Sequence, residues 1–127
     1  MSGAGKLAIL LWSAGPDRPE LLAAPFVYAA AAAALDAEVE VHFAGRAVRL
    51  LVAGEAERLP SPEWGGGDVY GFMREAAAAG ARFLACSMAM QRHVREAEAM
   101  IPEYSGTVGA ASFAQRSLDP DWRSLVF

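Results

Sequence analysis

The chain is poor in the residues that build covalent and metal-centred chemistry. Among its 127 residues there is one cysteine, Cys86. That excludes an internal disulfide and a cysteine-based zinc site built within one chain. The two histidines, His42 and His93, stand at no metal-ligand spacing, so neither a metal nor a cofactor is expected. Basic residues are outnumbered: 11 Lys and Arg against 15 Asp and Glu, a formal net charge of -4. A broad nucleic-acid surface is therefore not expected. Long apolar runs are missing as well. The first, Leu7–Trp12, is too short for a transmembrane helix and for the apolar region of a signal peptide. A soluble, cytoplasmic, reducing setting with no membrane partner is the expectation. No internal repeat, low-complexity tail or linker interrupts the chain, and its length suits one domain over 1–127.

What is present is a large apolar share, 54% against 20% charged, enough for a sizeable core. Leu7-Ala8-Ile9-Leu10-Leu11-Trp12 has the length and continuity of a strand buried on both faces. Ser13 to Pro19 forms a loop punctuated by Gly15, Pro16 and Pro19, at the strand end where open α/β sheets hold ligands. Glu20–Asp36 predicts a helix whose regular part starts near Pro25, because proline is tolerated only in a first turn. Glu38–Phe43 alternates polar and apolar residues. It predicts a strand with one less buried face, near a sheet edge or under a subunit contact, and leaves His42 partly exposed with no role in a site. Residues 47–52 fit either a strand or a helical turn.

Gly54–Asp68 is the longest irregular stretch. Its Gly65-Gly66-Gly67 run lacks the spacing of a phosphate-binding loop, and Trp64 within it is an anchor or the lid of a site. Asp68 suits the N-cap of a helix over Val69–Ala79, and Gly80 suits its C-terminal stop. Arg82–Ala85 predicts a short buried strand leading into Cys86. Ser87 is expected to cap a helix running from Met88 to Met100, stopped by Pro102. Ser105 or Thr107 would cap a further helix through Ala114 and Arg116, and Trp122–Phe127 would close the sheet. Alternating strands and helices predict an α/β fold: three layers, α/β/α, around a mostly parallel sheet of about five strands.

Cys86 falls where a strand ends and a helix begins. Backbone N–H groups there favour an anion, and a thiol so placed is favoured as the reactive thiolate. The competing reading is a buried cysteine acting as a small hydrophobe. His93 lies seven residues further on, roughly 10 Å along a helix and too far to serve as a base. Arg46 and Arg92 are the candidates for nearby positive charge.

Three segments in order carry a resemblance. The first strand with its Ser13-Ala14-Gly15-Pro16 loop, the Val39–Phe43 strand followed by Gly45-Arg46-Ala47-Val48-Arg49-Leu50-Leu51, and Ala85-Cys86-Ser87-Met88-Ala89-Met90 together resemble the small DsrE/DsrF-like proteins. The resemblance implies a flavodoxin-like outline and a homotrimer or homohexamer. It implies a cysteine, here Cys86, that carries sulfur as a persulfide between donor and acceptor proteins or small persulfides. Ser13, Arg46, Trp64 and Ser87 are the residues expected to bind the substrate beside it. The alternative is an oligomeric small-ligand or protein-binding module with a structural Cys86, in which Trp12, Trp64, Tyr70 and Phe72 line a pocket or a subunit contact. Whether the protein turns over as an enzyme stays open, and a flavin site finds no supporting spacing.

Overall fold

The computed structural model describes residues 5–127. Its centre is a five-stranded sheet of β1 (Lys6–Leu11), β2 (Glu38–Phe43), β3 (Arg82–Cys86), β4 (Tyr104–Val108) and β5 (Trp122–Val126). The spatial order is β4-β3-β2-β1-β5, and every neighbouring pair is parallel. The helices are α1 (Ala23–Ala34), α2 (Val69–Ala78), α3 (Ser87–His93) and α4 (Ala110–Leu118).

Topology follows from the handedness of the connections. β1, β2, β3 and β4 step across the sheet in one direction, so right-handed crossovers put their helices on one face. The step from β4 to β5 runs back across β3, β2 and β1, which puts α4 on the opposite face. The chains leaving β3 and β4 therefore diverge to opposite sides. Cys86, at the end of β3, pairs in register with Val108, at the end of β4. This divergence is where parallel α/β sheets open a crevice.

The two faces differ in kind. On the side of α1 and α2, Ile9, Leu11, Val39, Val41, Phe43, Phe83 and Ala85 form one continuous apolar core with Phe26 of α1 and Met73 of α2. Phe26, Phe43 and Phe83 meet pairwise at ring-centroid distances of 5.4–5.8 Å. The opposite face presents Ala8, Leu10, Glu40, His42 and Leu84 on the side of α4, none of whose residues is fully buried.

Several local expectations hold. Pro25 lies in the first turn of α1, after a separate 3-10 turn over Pro19–Leu21. Asp68 caps α2 by accepting a 2.8 Å bond from the Gly71 amide. Gly80 follows α2 at φ 116°, a conformation that Cβ-bearing residues avoid. Of the ambiguous 47–52 segment, residues 47–51 belong to a 3-10 helix, Gly45–Leu51, whose Ala47, Val48, Leu50 and Leu51 are buried, while Val52 is extended.

Five expectations are corrected. β2 is the central strand, not an edge, and both of its faces are buried; its polar alternation marks partners on α4 rather than solvent. Ser87 does not cap α3. Cys86 holds the N-cap position, with extended backbone and no side-chain cap, and Ser87 is the first helical residue. The helix predicted to reach Met100 ends at His93. Arg49 takes over there, donating to the His93 carbonyl at 3.0 Å and to Glu98 at 2.7 Å, while Val52 and Met100 form an isolated bridge. Tyr104–Val108 is the edge strand β4 rather than a helix start, and Gly109 stands at the N-cap of α4. Arg82, for its part, is exposed; burial begins at Phe83.

The asymmetry between the two faces makes a prediction. Phe43→Ala removes a fully buried ring from the aromatic cluster and should cost about 3–5 kcal/mol in urea unfolding. Leu118→Ala, at a site 84% exposed at the end of α4, should change stability by less than about 0.5 kcal/mol. Equal costs would mean that the core does not lie where the packing places it.

Candidate functional site

β3 carries its side chains to alternate faces. Ala85 joins the apolar core, so Cys86 turns to the α4 side, the same face as Leu84 and, across the register, His42. Cys86 is a free, half-buried thiol. It lines a cavity of about 360 Å³ between the C-terminal edge of the sheet and α4. The walls are mostly apolar: Leu10, Trp12 and Phe43 from the sheet edge, Val108 from the end of β4, Ala110 from the start of α4, and Phe113 within it. Trp12 is 57% exposed at the rim. His42 is the titratable side chain that shares this cavity with Cys86.

His42 is fixed from behind. Its Nε2 lies 3.0 Å from Glu40 Oε1, and both side chains are buried. A carboxylate can only accept, so Nε2 carries the hydrogen and donates it. Arg116 of α4 grips the same carboxylate with two bonds, Nε to Oε1 at 3.1 Å and Nη2 to Oε2 at 2.9 Å. Arg82 adds a longer contact at 3.7 Å. The Arg116 guanidinium also lies 4.2 Å from the centroid of the Trp122 ring, a cation–π contact. Phe113 meets the His42 ring edge-on at 5.4 Å.

These contacts set the charge states. Burial pushes the Glu40 carboxyl up, but hydrogen bonds from Arg116 and His42, with their charges, outweigh it and hold it below its ordinary value of 4.5. Burial is also the main effect on His42 and lowers it from 6.5; the Glu40 bond opposes this, while the charges of Arg116 and Arg82 add to it. The site therefore holds an ionised carboxylate and a neutral imidazole at neutral pH, the charge-neutral wall of an apolar cavity.

The residues predicted around Cys86 are divided by the fold. Ser87 follows Cys86 directly at the start of α3. Ser13 and Trp64 line a different cavity, of about 500 Å³, on the α1 side of the same sheet edge, with Leu11, Leu21, Glu63 and Phe127. Arg46 is exposed and paired with Asp17 at 3.0 Å, and Gly15 lies so close beneath it that an added Cβ would stand 2.8 Å from Arg46 Cβ. His42, expected to be partly exposed and idle, is buried and faces the Cys86 cavity. Burial follows from Phe113 and Arg116 of α4, a helix packed on β1 and β5, reaching the β2 side chains, a contact invisible in the local pattern. Glu40, Phe113 and Arg116 were not singled out. The available signal was a carboxylate two residues from a histidine in an otherwise apolar strand. Among the described residues no group of three or more His, Cys, Asp or Glu could hold a metal, and no helix is long and apolar enough to cross a membrane.

An all-parallel α/β sheet with a single cysteine at its C-terminal edge, lining a mostly apolar cavity, defines the class of protein. The chain belongs to the DsrE/DsrF-like family, whose profile matches residues 6–121. Two solved structures are similar in fold. The YchN protein from E. coli aligns at a TM-score of 0.74 with 15% identity, over 98% of this chain and 99% of its own. MTH1491 from Methanobacterium thermoautotrophicum, a protein of unknown function, aligns at 0.65 with 17% identity, over 97% and 99%. No curated protein matches the chain.

Two predictions follow from the Glu40 cluster. Arg116→Met leaves a buried carboxylate short of its main partner and should lower stability by about 2–4 kcal/mol. Adding Glu40→Leu should recover most of that loss in urea unfolding, because the stranded charge is gone. No recovery would show that Arg116 stabilises the fold through Trp122 instead. The pH dependence has a definite sign. Glu40 and His42 each bind a proton less readily folded than unfolded, so each contributes stability at high pH. The contribution of His42 is complete above 6.5 and that of Glu40 above 4.5, and each is lost as pH falls through its lower folded value. Unfolding free energy measured from neutral pH into acid should decline from near the upper limit downward. His42→Gln should remove the upper part of the decline, and an unchanged curve would refute the assignment.

Proposed function

We propose that this protein is a sulfur carrier or sulfurtransferase of the DsrE/DsrF-like family, holding sulfane sulfur as a persulfide on Cys86. The observation that carries the reading is the placement of Cys86. It sits at the crevice where the chains leaving β3 and β4 diverge, facing a cavity of about 360 Å³ with mostly apolar walls. Apolar walls of this kind favour an uncharged sulfur species beside the thiol, and a half-buried Cys86 stays open to exchange.

The chemistry is two successive thiol–disulfide-type displacements. The Cys86 thiolate attacks the outer sulfur of a donor R–S–S–H. The donor S–S bond breaks, a Cys86 Sγ–S bond forms, and R–S⁻ leaves. An acceptor thiolate then attacks the outer sulfur of the Cys86 persulfide, and Cys86 departs as the thiolate. No external oxidant or reductant is consumed. The donors and acceptors are small persulfides or proteins that present one, in a reducing compartment such as the cytoplasm. The protein works as a homo-oligomer, a trimer or hexamer, in line with its family. With no second cysteine in the chain, the relay partner is another molecule.

Intact mass after incubation with a polysulfide donor is the test. Wild type should gain about one sulfur atom that dithiothreitol removes, and Cys86→Ser should gain none. A folded protein that gains no sulfur, with a thiol labelled only after denaturation, would sink the carrier reading in favour of a binding module with a structural cysteine. The cavity walls add a second expectation. In the folded protein an uncharged maleimide should label Cys86 faster than iodoacetate, relative to their rates with a free thiol, because among the described residues no Lys or Arg lines the cavity and the resting His42 ring is neutral. A preference for iodoacetate would contradict this.

A further inference from the structure

We propose that His42 is the proton acceptor for Cys86, and that Glu40, itself locked by Arg116, is the positioning residue that presents the accepting nitrogen. His42 Nε2 donates to Glu40 Oε1 at 3.0 Å, so the neutral ring carries its lone pair on Nδ1. His42 pairs in register with Leu84 on β3, and Cys86 lies two residues beyond Leu84 on the same face. Strand spacing and rise put the two Cα atoms about 8 Å apart. Both residues line the same cavity. Buried side chains ordinarily have their polar atoms paired. Among the described residues the buried side-chain polar atom without a partner is Ser61 Oγ; the His42 side chain bonds through Nε2 alone, and its ring forms part of the wall of the cavity that Cys86 lines.

The step balances within the site. The Cys86 S–H bond breaks, an Nδ1–H bond forms on His42, and the thiolate is left to attack. When the displaced R–S⁻ departs, the imidazolium returns that proton to give R–SH. The charge formed on His42 is met by Glu40 behind it, while Arg116 of α4 and Arg82 of β3 oppose it. Leu10 of β1 and Phe113 of α4 contribute no charge. Glu40 thus performs the orienting role that a carboxylate performs behind a catalytic histidine, with the ring held so that only one nitrogen can accept. His93 cannot substitute, since it closes α3 two turns away. The proposal rests on the sulfur-carrier reading only for the nature of the electrophile; the proton transfer itself is independent of it.

Alkylation of Cys86 by iodoacetamide in the folded protein, at two pH values, separates the roles. For His42→Gln the rate at pH 7 should fall at least about tenfold below wild type. At about pH 9.5, where a thiol ionises without help, the two rates should converge. A merely structural His42 would lower both rates by the same factor, or neither, and either result would overturn the proposal. Glu40→Gln, which keeps the shape but gives up the charge, should fall between the two at pH 7. If His42→Gln does not fold, the reciprocal experiment remains. The proton NMR titration of His42, one of only two histidines, should shift between wild type and Cys86→Ala, because coupling between two sites acts on both. An unmoved titration would refute the coupling. Sulfur uptake by mass is scored separately. A protein that passes the alkylation test but gains no sulfur keeps the His42 assignment and loses the carrier reading.

Discussion

A carboxylate buried at the middle of a sheet has to be answered by cations, and most of this protein's second face follows from that need. Glu40 is at the centre of β2 with almost no exposure, and Arg116 and His42 satisfy it. Desolvating a carboxylate costs several kcal/mol unless its oxygens are bonded. Arg116 consequently ties α4, which packs on β1 and β5, to the β2 carboxylate, and the Trp122 ring of β5 packs against the same guanidinium. The tie adds a buried anchor to a helix none of whose own residues is fully buried. The opposite face needs no such device. There Phe26, Phe43 and Phe83 supply an apolar core of the ordinary kind.

The same interaction shapes the site. With Arg116 bound to Glu40, α4 sets Phe113 against the His42 ring and walls the space in front of Cys86. A polar pair behind and apolar walls in front give a pocket in which charge is scarce and a neutral imidazole is the stable form. Structure and chemistry are thereby coupled: the residues that hold the layers together also set the protonation state of the group beside the thiol. The cavity at Ser13 and Trp64 lies on the other side of the sheet and has none of this wiring. It shares the C-terminal edge with the Cys86 cavity, as loops leaving parallel strands tend to.

Much of the fold was legible in the chain. Leu7–Trp12 announced a buried strand by its continuity, Asp68 and Gly80 bracketed α2 by their caps, and Cys86 was marked by its position at the end of Arg82–Ala85. These signals are local, because hydrogen-bonding side chains and backbone conformational preferences act within a few residues. β4 escaped because Tyr104-Ser105-Gly106-Thr107-Val108 is an exposed edge strand; it has no apolar face to announce, and only pairing with β3 makes it a strand. α3 was overextended because what ends it, Arg49 gripping the His93 carbonyl and Glu98, comes from more than forty positions earlier.

The sequence by itself determined the class of fold, the place of the only thiol and the elements around it, since periodicity, capping and glycine positions are written residue by residue. Tertiary structure alone decided that β2 is central rather than peripheral, that His42 is a buried neighbour of Cys86 rather than a solvated bystander, and that Ser13, Arg46 and Trp64 lie elsewhere. The physical reason is the meaning of Glu40 and His42 in an alternating strand. A polar residue on a strand points either to water or to a buried partner, and the pattern is the same in both cases. The partner here is Arg116, 76 residues along the chain, and only the crossover that carries α4 back over the sheet brings it within reach.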